Sequence, residues 1–101
     1  MNGTEGVVSA RTLAEAGVRL AGALAELGET VIEVHRAGET ARRLEARRAD
    51  LPGEIVALAG AGGGTLSCGT LGATIVVGAD RVRWQAEDPA TGRRLSAALR
   101  A

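Results

Sequence analysis

Three side chains in this sequence have the types that nucleophilic catalysis requires: Ser67, Cys68 and His35. A hydroxyl or thiol becomes a strong nucleophile when an imidazole takes its proton and an acid orients that imidazole. The segment around Ser67, SCGT, contains no nucleophile elbow and no helix N-terminus that would activate either group. A cysteine in a strand is more often a small core side chain, and no acidic pair has a distinctive spacing for acid–base chemistry. We therefore predict no catalytic residue and no enzymatic activity.

The run from Ile55 to Gly64, IVALAGAGGG, is the second candidate for chemistry. An apolar segment that enters a glycine turn resembles the fingerprint of dinucleotide-binding sites, and Asp80 ends the next apolar run, as a ribose-binding acid would. However, Thr65 occupies the third glycine position, and the segment 65–73 is too rich in glycine for a crossover helix. We interpret Gly60–Gly64 as a flexible loop, expect no cofactor, and keep nucleotide binding as a third functional hypothesis.

All twelve basic residues of the chain are arginines. Four of them form a cluster: Arg42, Arg43, Arg47 and Arg48. On a helix, Arg36, Arg43 and Arg47 would share one side and could contact phosphates or the carboxylates of a partner. Acidic residues interleave the cluster, and Trp84 is the single aromatic side chain that could stack on a base. These features make nucleic acid a weaker candidate than a protein partner. A dimeric nucleic-acid-associated protein that uses the Arg42–Arg48 helix end is therefore kept as the second hypothesis.

The composition predicts one folded domain over residues 1–101. Hydrophobic residues make up 46% of the 101 positions, an ordinary fraction for a globular domain. No apolar run is long enough to span a bilayer, and the first ten residues lack the pattern of a secretion signal, so we expect a cytoplasmic protein with no membrane partner. One His and one Cys cannot form a His/Cys metal cluster within one chain, and we expect no metal.

The absence of Phe and Tyr bears on partners. A core of Ala, Val, Leu and Ile buries less area per side chain than a core with aromatic residues. A domain of this size is already marginal in the area that it can bury. The sequence therefore predicts a homo-oligomer or an obligate protein partner.

Residues 9–50 predict helical structure, because apolar positions recur with a 4-3-4-3 spacing. The members of this apolar stripe that we predict to mediate interaction are Leu13, Leu20, Leu24, Leu27, Val31 and Val34. One continuous helix of this length would extend about 60 Å and need a coiled-coil partner. A helical hairpin is the favoured alternative, since Gly28 could end one helix and Thr30 with Glu33 could form the capping box of the next. Thr12 with Glu15 gives a similar signature near the start of the first helix, and Ser9 is an equally good cap.

Residues 54–101 predict a β-rich half. Arg81–Glu87 alternates in period two, with Val82, Trp84 and Ala86 on one face. Segments 65–70 and 73–77 are also read as strands, and Asp88–Gly92 as a hairpin turn. Glu54–Ala59 fits a strand or a short helix, and residues 93–101 fit either as well. The predicted fold is α+β, with an N-terminal helical hairpin or long coiled-coil helix followed by a small antiparallel β-meander.

These observations favour a non-enzymatic interaction or assembly protein. We predict a small subunit or adaptor that associates through the apolar stripe, either with itself or with a larger partner. An apolar stripe on a small domain with few aromatic residues leaves contiguous apolar area, which usually marks an interface.

Overall fold

The computed structural model describes residues 3–100. Within this range the elements, in chain order, are β1 (Glu5–Val7), α1 (Leu13–Glu26), β2 (Val31–His35), β3 (Arg42–Glu45), α2 (Leu51–Gly60), β4 (Gly64–Cys68), β5 (Ala73–Val77), β6 (Val82–Ala86) and α3 (Pro89–Arg100). The α+β class is correct. The predicted N-terminal helical hairpin and its alternative, one long coiled-coil helix, are both wrong, because one helix of 14 residues, α1, precedes the hairpin of strands β2 and β3.

The strands of the described residues form one antiparallel sheet of six, in the order β1-β6-β5-β4-β2-β3. Strands β4, β5 and β6 are a meander of consecutive hairpins. Strand β2 joins this meander through β4, where Ile32 pairs with Cys68 and Val34 with Leu66. Strand β1 pairs with β6 at the opposite edge.

The two faces of the sheet differ in burial because alternate side chains of a strand point to opposite sides. The inner face is buried, and its members include Ile32, Val34, Leu66, Cys68, Ala73, Ile75, Val77, Val82 and Trp84. The helices pack on this face: a Cβ on Gly64 would meet Leu58 of α2, and a Cβ on Gly92 of α3 would meet Trp84. Helix α1 packs between the other two, against both α2 and α3. The fold therefore has two layers, with the core between the helices and the sheet.

Helix α1 begins and ends where its local signals predict. The Thr12 hydroxyl accepts a hydrogen bond from the backbone N–H of Glu15 at 3.0 Å, so Thr12 is the N-cap. After the helix, Gly28 takes a φ of +80°, the left-handed conformation that glycine adopts without a steric cost.

The second predicted helix is strand β2 instead. The segment VIEVH is rich in β-branched residues, which favour a strand, and it pairs with β3 and β4 on its two sides. The helical spacing of apolar residues that includes Val31 and Val34 therefore arises by chance and does not indicate a helix. In the strand these two side chains point to opposite faces: Val34 is buried and Val31 is 44% exposed. The Thr30–Glu33 capping box is wrong for the same reason.

Helix α2 settles the open alternative at Glu54–Ala59. The carboxylate of Asp50 accepts the N–H of Gly53 at 3.2 Å and caps the helix, with Pro52 in the first turn. Helix α2 packs closely on α1, since a Cβ on Gly17 would lie 2.5 Å from the Cα of Pro52.

Helix α3 replaces the turn predicted at Asp88–Gly92. The Asp88 carboxylate accepts the N–H of Thr91 at 2.8 Å, and the next residue is Pro89, which is well suited to the first position of a helix. This hydrogen bond holds the pKa of Asp88 below its ordinary value. The turn signals are real, but they belong to a helix N-terminus. No helix within residues 3–100 has the length and apolar character to cross a membrane.

Candidate functional site

The outer face of the sheet is a surface that the helices leave uncovered. It is formed by the side chains that alternate with the buried ones along each strand. Its members are Glu5 and Val7 of β1, Arg83 and Gln85 of β6, Thr74 and Val76 of β5, Thr65 and Ser67 of β4, Val31, Glu33 and His35 of β2, and Arg43 and Glu45 of β3. All of these side chains are half-buried or exposed. This outer face is the candidate site.

The centre of the outer face is neutral. Strands β4 and β5 place Ser67 beside Thr74 and Thr65 beside Val76. We call these four residues the neutral strip. They are half-buried by their neighbours in the sheet, although no helix covers them. Such a strip of small side chains is flat, because none of the four is longer than valine.

Charged side chains flank the neutral strip. On β2, the Nε2 atom of His35 lies 2.9 Å from the Oε1 atom of Glu33. The Nε atom of Arg43 on β3 lies 3.6 Å from the other oxygen of Glu33, and the Arg43 side chain is 81% exposed. On the other side of the strip, Arg83 of β6 and Glu5 of β1 form no ion pair within residues 3–100. The charges near β1 are therefore free to pair with another molecule.

The catalytic candidates do not assemble into a nucleophilic site. Ser67 and Cys68 are consecutive in β4 and point to opposite faces, Ser67 outward and Cys68 into the core. Burial, with a smaller contribution from the Glu29 charge, raises the pKa of the Cys68 thiol to about 12, so the thiolate is almost absent at neutral pH. His35 contacts Glu33 on the outer face, but within residues 3–100 the Ser67 hydroxyl has no hydrogen bond to His35.

The basic cluster lies on β3 and the turn that follows it, so the predicted helix end is wrong. Three of its members form ion pairs within the chain: Arg42 with Glu54 at 2.6 Å, Arg43 with Glu33 at 3.6 Å and Arg48 with Glu45 at 3.9 Å. Arg36 lies in the turn between β2 and β3 and pairs with Glu39 at 3.3 Å. Arg36, Arg43 and Arg47 therefore lie on three different segments, and of these only Arg43 belongs to the outer face.

The apolar stripe divides between the core and the surface. Leu20, Leu24 and Val34 are buried in the chain's own core, and Leu13 and Leu27 pack against it. One chain therefore covers these five side chains without a partner. Val31 is the member that remains exposed, and it lies on the outer face beside Glu45.

The glycines at 60–64 connect α2 to β4. The N–H of Gly63 bonds to the carbonyl of Leu58 at 2.8 Å, which closes the carboxyl end of the helix. A helix carboxyl end carries partial negative charge, so it repels a phosphate rather than attracting one. A Cβ on Gly64 would also lie 2.7 Å from the carbonyl oxygen of His35. The close approach of the His35 backbone therefore accounts for glycine at this position. The geometry of this segment is unfavourable for a nucleotide.

Within residues 3–100, no three His, Cys, Asp or Glu side chains are placed to hold a metal ion. No family model, curated protein or solved structure matches the chain.

The outer face is a candidate site that the expectations from the sequence do not include. The period-two alternation of β5 and β6 predicts which side of each strand is buried. In β2 the same alternation buries Ile32 and Val34 and leaves Val31, Glu33 and His35 outside. The alternation of side chains along residues 31–35, a segment predicted to be helical, is the signal that indicates this surface.

Proposed function

We propose that this protein is a non-enzymatic association module and that it pairs with a second copy of itself through the outer face of the sheet. One observation carries the proposal: a six-stranded sheet is covered by helices on its inner face alone, and its outer face has a neutral strip flanked by charges. Charged residues are depleted at the core of protein interfaces and polar residues form the rim, and the outer face shares this absence of charge at its centre.

The proposal keeps the kind of function expected from the sequence and changes the surface. The stripe residues Leu20 and Leu24 are core side chains, whereas Val31 and Val76 lie on the outer face. Two sheets that pack face to face bring the side chains of their facing surfaces together at a separation of about 10 Å. A flat strip of Ser, Thr and Val permits this approach without rearrangement of the backbone.

The area of the outer face determines the expected affinity. Six strands spaced by about 4.8 Å and about five residues long give a flat area of roughly 25 by 16 Å, about 400 Å² per partner. This is below the ~800 Å² per partner of a standard interface, and it belongs with weak or transient contacts. We therefore expect dissociation in the micromolar range, with a monomer that folds on its own.

Sedimentation velocity of the wild type and of Val76→Arg over about 1–200 µM tests the proposal. Val76→Arg introduces a charge into the neutral strip, and it changes a half-exposed side chain, so the fold should be retained. The matched control is Val56→Arg, which places the same charge at a position on α2 that is 48% exposed and far from the outer face.

We expect the sedimentation coefficient of the wild type and of Val56→Arg to rise with concentration, and that of Val76→Arg to stay at the monomer value. Circular dichroism of each variant checks that the fold is unchanged. A wild type that is monomeric throughout this range, or a dimer that Val76→Arg leaves intact, would overturn the proposal.

A further inference from the structure

We infer, on the basis of the proposed function, that the two-fold axis of the dimer runs along the strand direction, so that Glu5 of one protomer meets Arg43 of the other. Each of the six strands contributes one side chain to a row that crosses the outer face. The row reads Glu5, Gln85, Thr74, Ser67, Glu33 and Arg43 in spatial order.

The row is complementary to the same row of a second copy when that copy runs in the opposite direction. A two-fold axis along the strands, placed between β5 and β4, lays each strand over the strand at the mirrored position in the partner sheet. Thr74 then lies over Ser67, and the Gln85 amide over the Glu33 carboxylate, which can accept its N–H. At the two ends, Glu5 lies over Arg43. Every contact occurs twice, as an isologous interface requires.

Two axes superimpose this row on its copy: the axis along the strands, and an axis across the strands that passes through the row. The second would lay each member over its own copy, so that Glu5 would face Glu5, Glu33 would face Glu33 and Arg43 would face Arg43. Like charges that are brought together in an interface cost free energy and disfavour that arrangement. Of these two axes, charge complementarity therefore favours the axis along the strands.

The next row supports the same choice. It contains Arg83, Val76, Thr65 and His35 in spatial order. The same axis lays Val76 over Thr65 and brings Arg83 to the His35–Glu33 pair, whose carboxylate offsets the guanidinium charge. Within residues 3–100 Arg83 has no ion pair of its own, so the dimer would supply its partner.

Charge exchange at the two ends of the first row tests the axis. The variant Glu5→Arg has arginine at both ends of the row and Arg43→Glu has glutamate at both ends, so each homodimer has two like-charge contacts. When the two variants are mixed, the heterodimer has two opposite-charge contacts. Sedimentation velocity should show each single variant at least threefold weaker in self-association, and recovery of the wild-type dimer in the 1:1 mixture at 50 mM salt.

The matched control replaces Arg43→Glu with Arg94→Glu, an exposed arginine of α3 that lies off the outer face. A mixture of Glu5→Arg and Arg94→Glu has the same difference in net charge but lacks the positional pairing. The first mixture should reach the dimer fraction of the wild type, whereas the second should contain no more dimer than Arg94→Glu forms alone, and this difference supports the axis. Equal behaviour of the two mixtures overturns it, and if the wild-type dimer is still abolished by Val76→Arg, the proposed function stands with a different axis. A monomeric wild type overturns both.

Discussion

The carboxylate of Glu29 accepts a hydrogen bond from the backbone N–H of Leu71 at 2.7 Å, across a sequence separation of 42 residues. The other oxygen lies 3.4 Å from the N–H of Thr70. Glu29 is 4% exposed, and it links the end of α1 to the turn between β4 and β5. A buried charge is tolerated here because two backbone donors surround it.

Replacement of Glu29 by Ala should lower the free energy of unfolding by about 1–3 kcal/mol, because the buried N–H of Leu71 would lose its acceptor. Glu29→Gln keeps one carbonyl oxygen and should cost less. Urea denaturation measures both. Glu26→Ala, three residues earlier and exposed, is the control and should change stability by less than about 0.5 kcal/mol. Equal stability of Glu29→Ala and the wild type would contradict this role.

The same substitution in the same helix should have opposite effects at Gly17 and Gly22. A Cβ on Gly17 would lie 2.5 Å from the Cα of Pro52, whereas a Cβ on Gly22 would meet nothing within 4 Å. Gly17→Ala should therefore destabilise by about 1–3 kcal/mol through overpacking of α1 on α2. Gly22→Ala should stabilise by about 0.5–1 kcal/mol through helix propensity. Thermal unfolding of both variants measures the difference. Melting temperatures that shift in the same direction for both variants would contradict the close packing of α1 on α2.

Gly28→Ala should destabilise the protein by about 1 kcal/mol, because Gly28 has a φ of +80° and no neighbour within 4 Å of a built Cβ. The cost is then purely conformational. Gly28→Asn should lose less, since Asn tolerates the left-handed conformation better than other residues. If Gly28→Ala raises the melting temperature instead, α1 continues beyond Glu26 and Gly28 does not end the helix.

Cys68 should resist thiol reagents in the folded protein at pH 8, because its side chain is buried and burial raises its pKa to about 12. Thiol–disulfide exchange with an aromatic disulfide reagent is expected to follow global unfolding. The variant Ser67→Cys/Cys68→Ala moves the thiol by one residue to the outer face and should react at once. A fast reaction of the wild type under native conditions would show that the core at β4 opens locally.

We expect Cys68 to make the stability of the protein decrease at alkaline pH. The sequence has no Tyr and all its basic residues are arginines, so Cys68 is the one side chain with an ordinary pKa between about 8 and 12. The unfolded thiol releases its proton near its ordinary value of 9.0, whereas the folded thiol keeps it until about 12. The stabilising contribution is therefore complete below pH 9 and decreases as the pH rises toward 12. Cys68→Ala should flatten this decline in urea titrations between pH 9 and 11.

Local signals in the sequence were sufficient where an element depends on its own residues. Thr12 caps α1 and Gly28 ends it, because both act within a few positions of the chain. The alternation of Val82 and Trp84 assigned the buried face of β6 for a similar reason: the pattern is complete within five residues. The α+β class follows from these elements.

Only the tertiary structure decided β2. Val31 and Val34 continue a helical spacing, but the segment is a strand because Ile32 pairs with Cys68. Strand β3 and helix α2 separate these two residues in the chain. The outer face depends on the same long-range pairing, since the row from Glu5 to Arg43 is assembled from strands whose spatial order is not their chain order. Neither the charge pattern of that row nor its symmetry can be read from spacing along the chain, because hydrogen bonds between distant strands set the register that creates it.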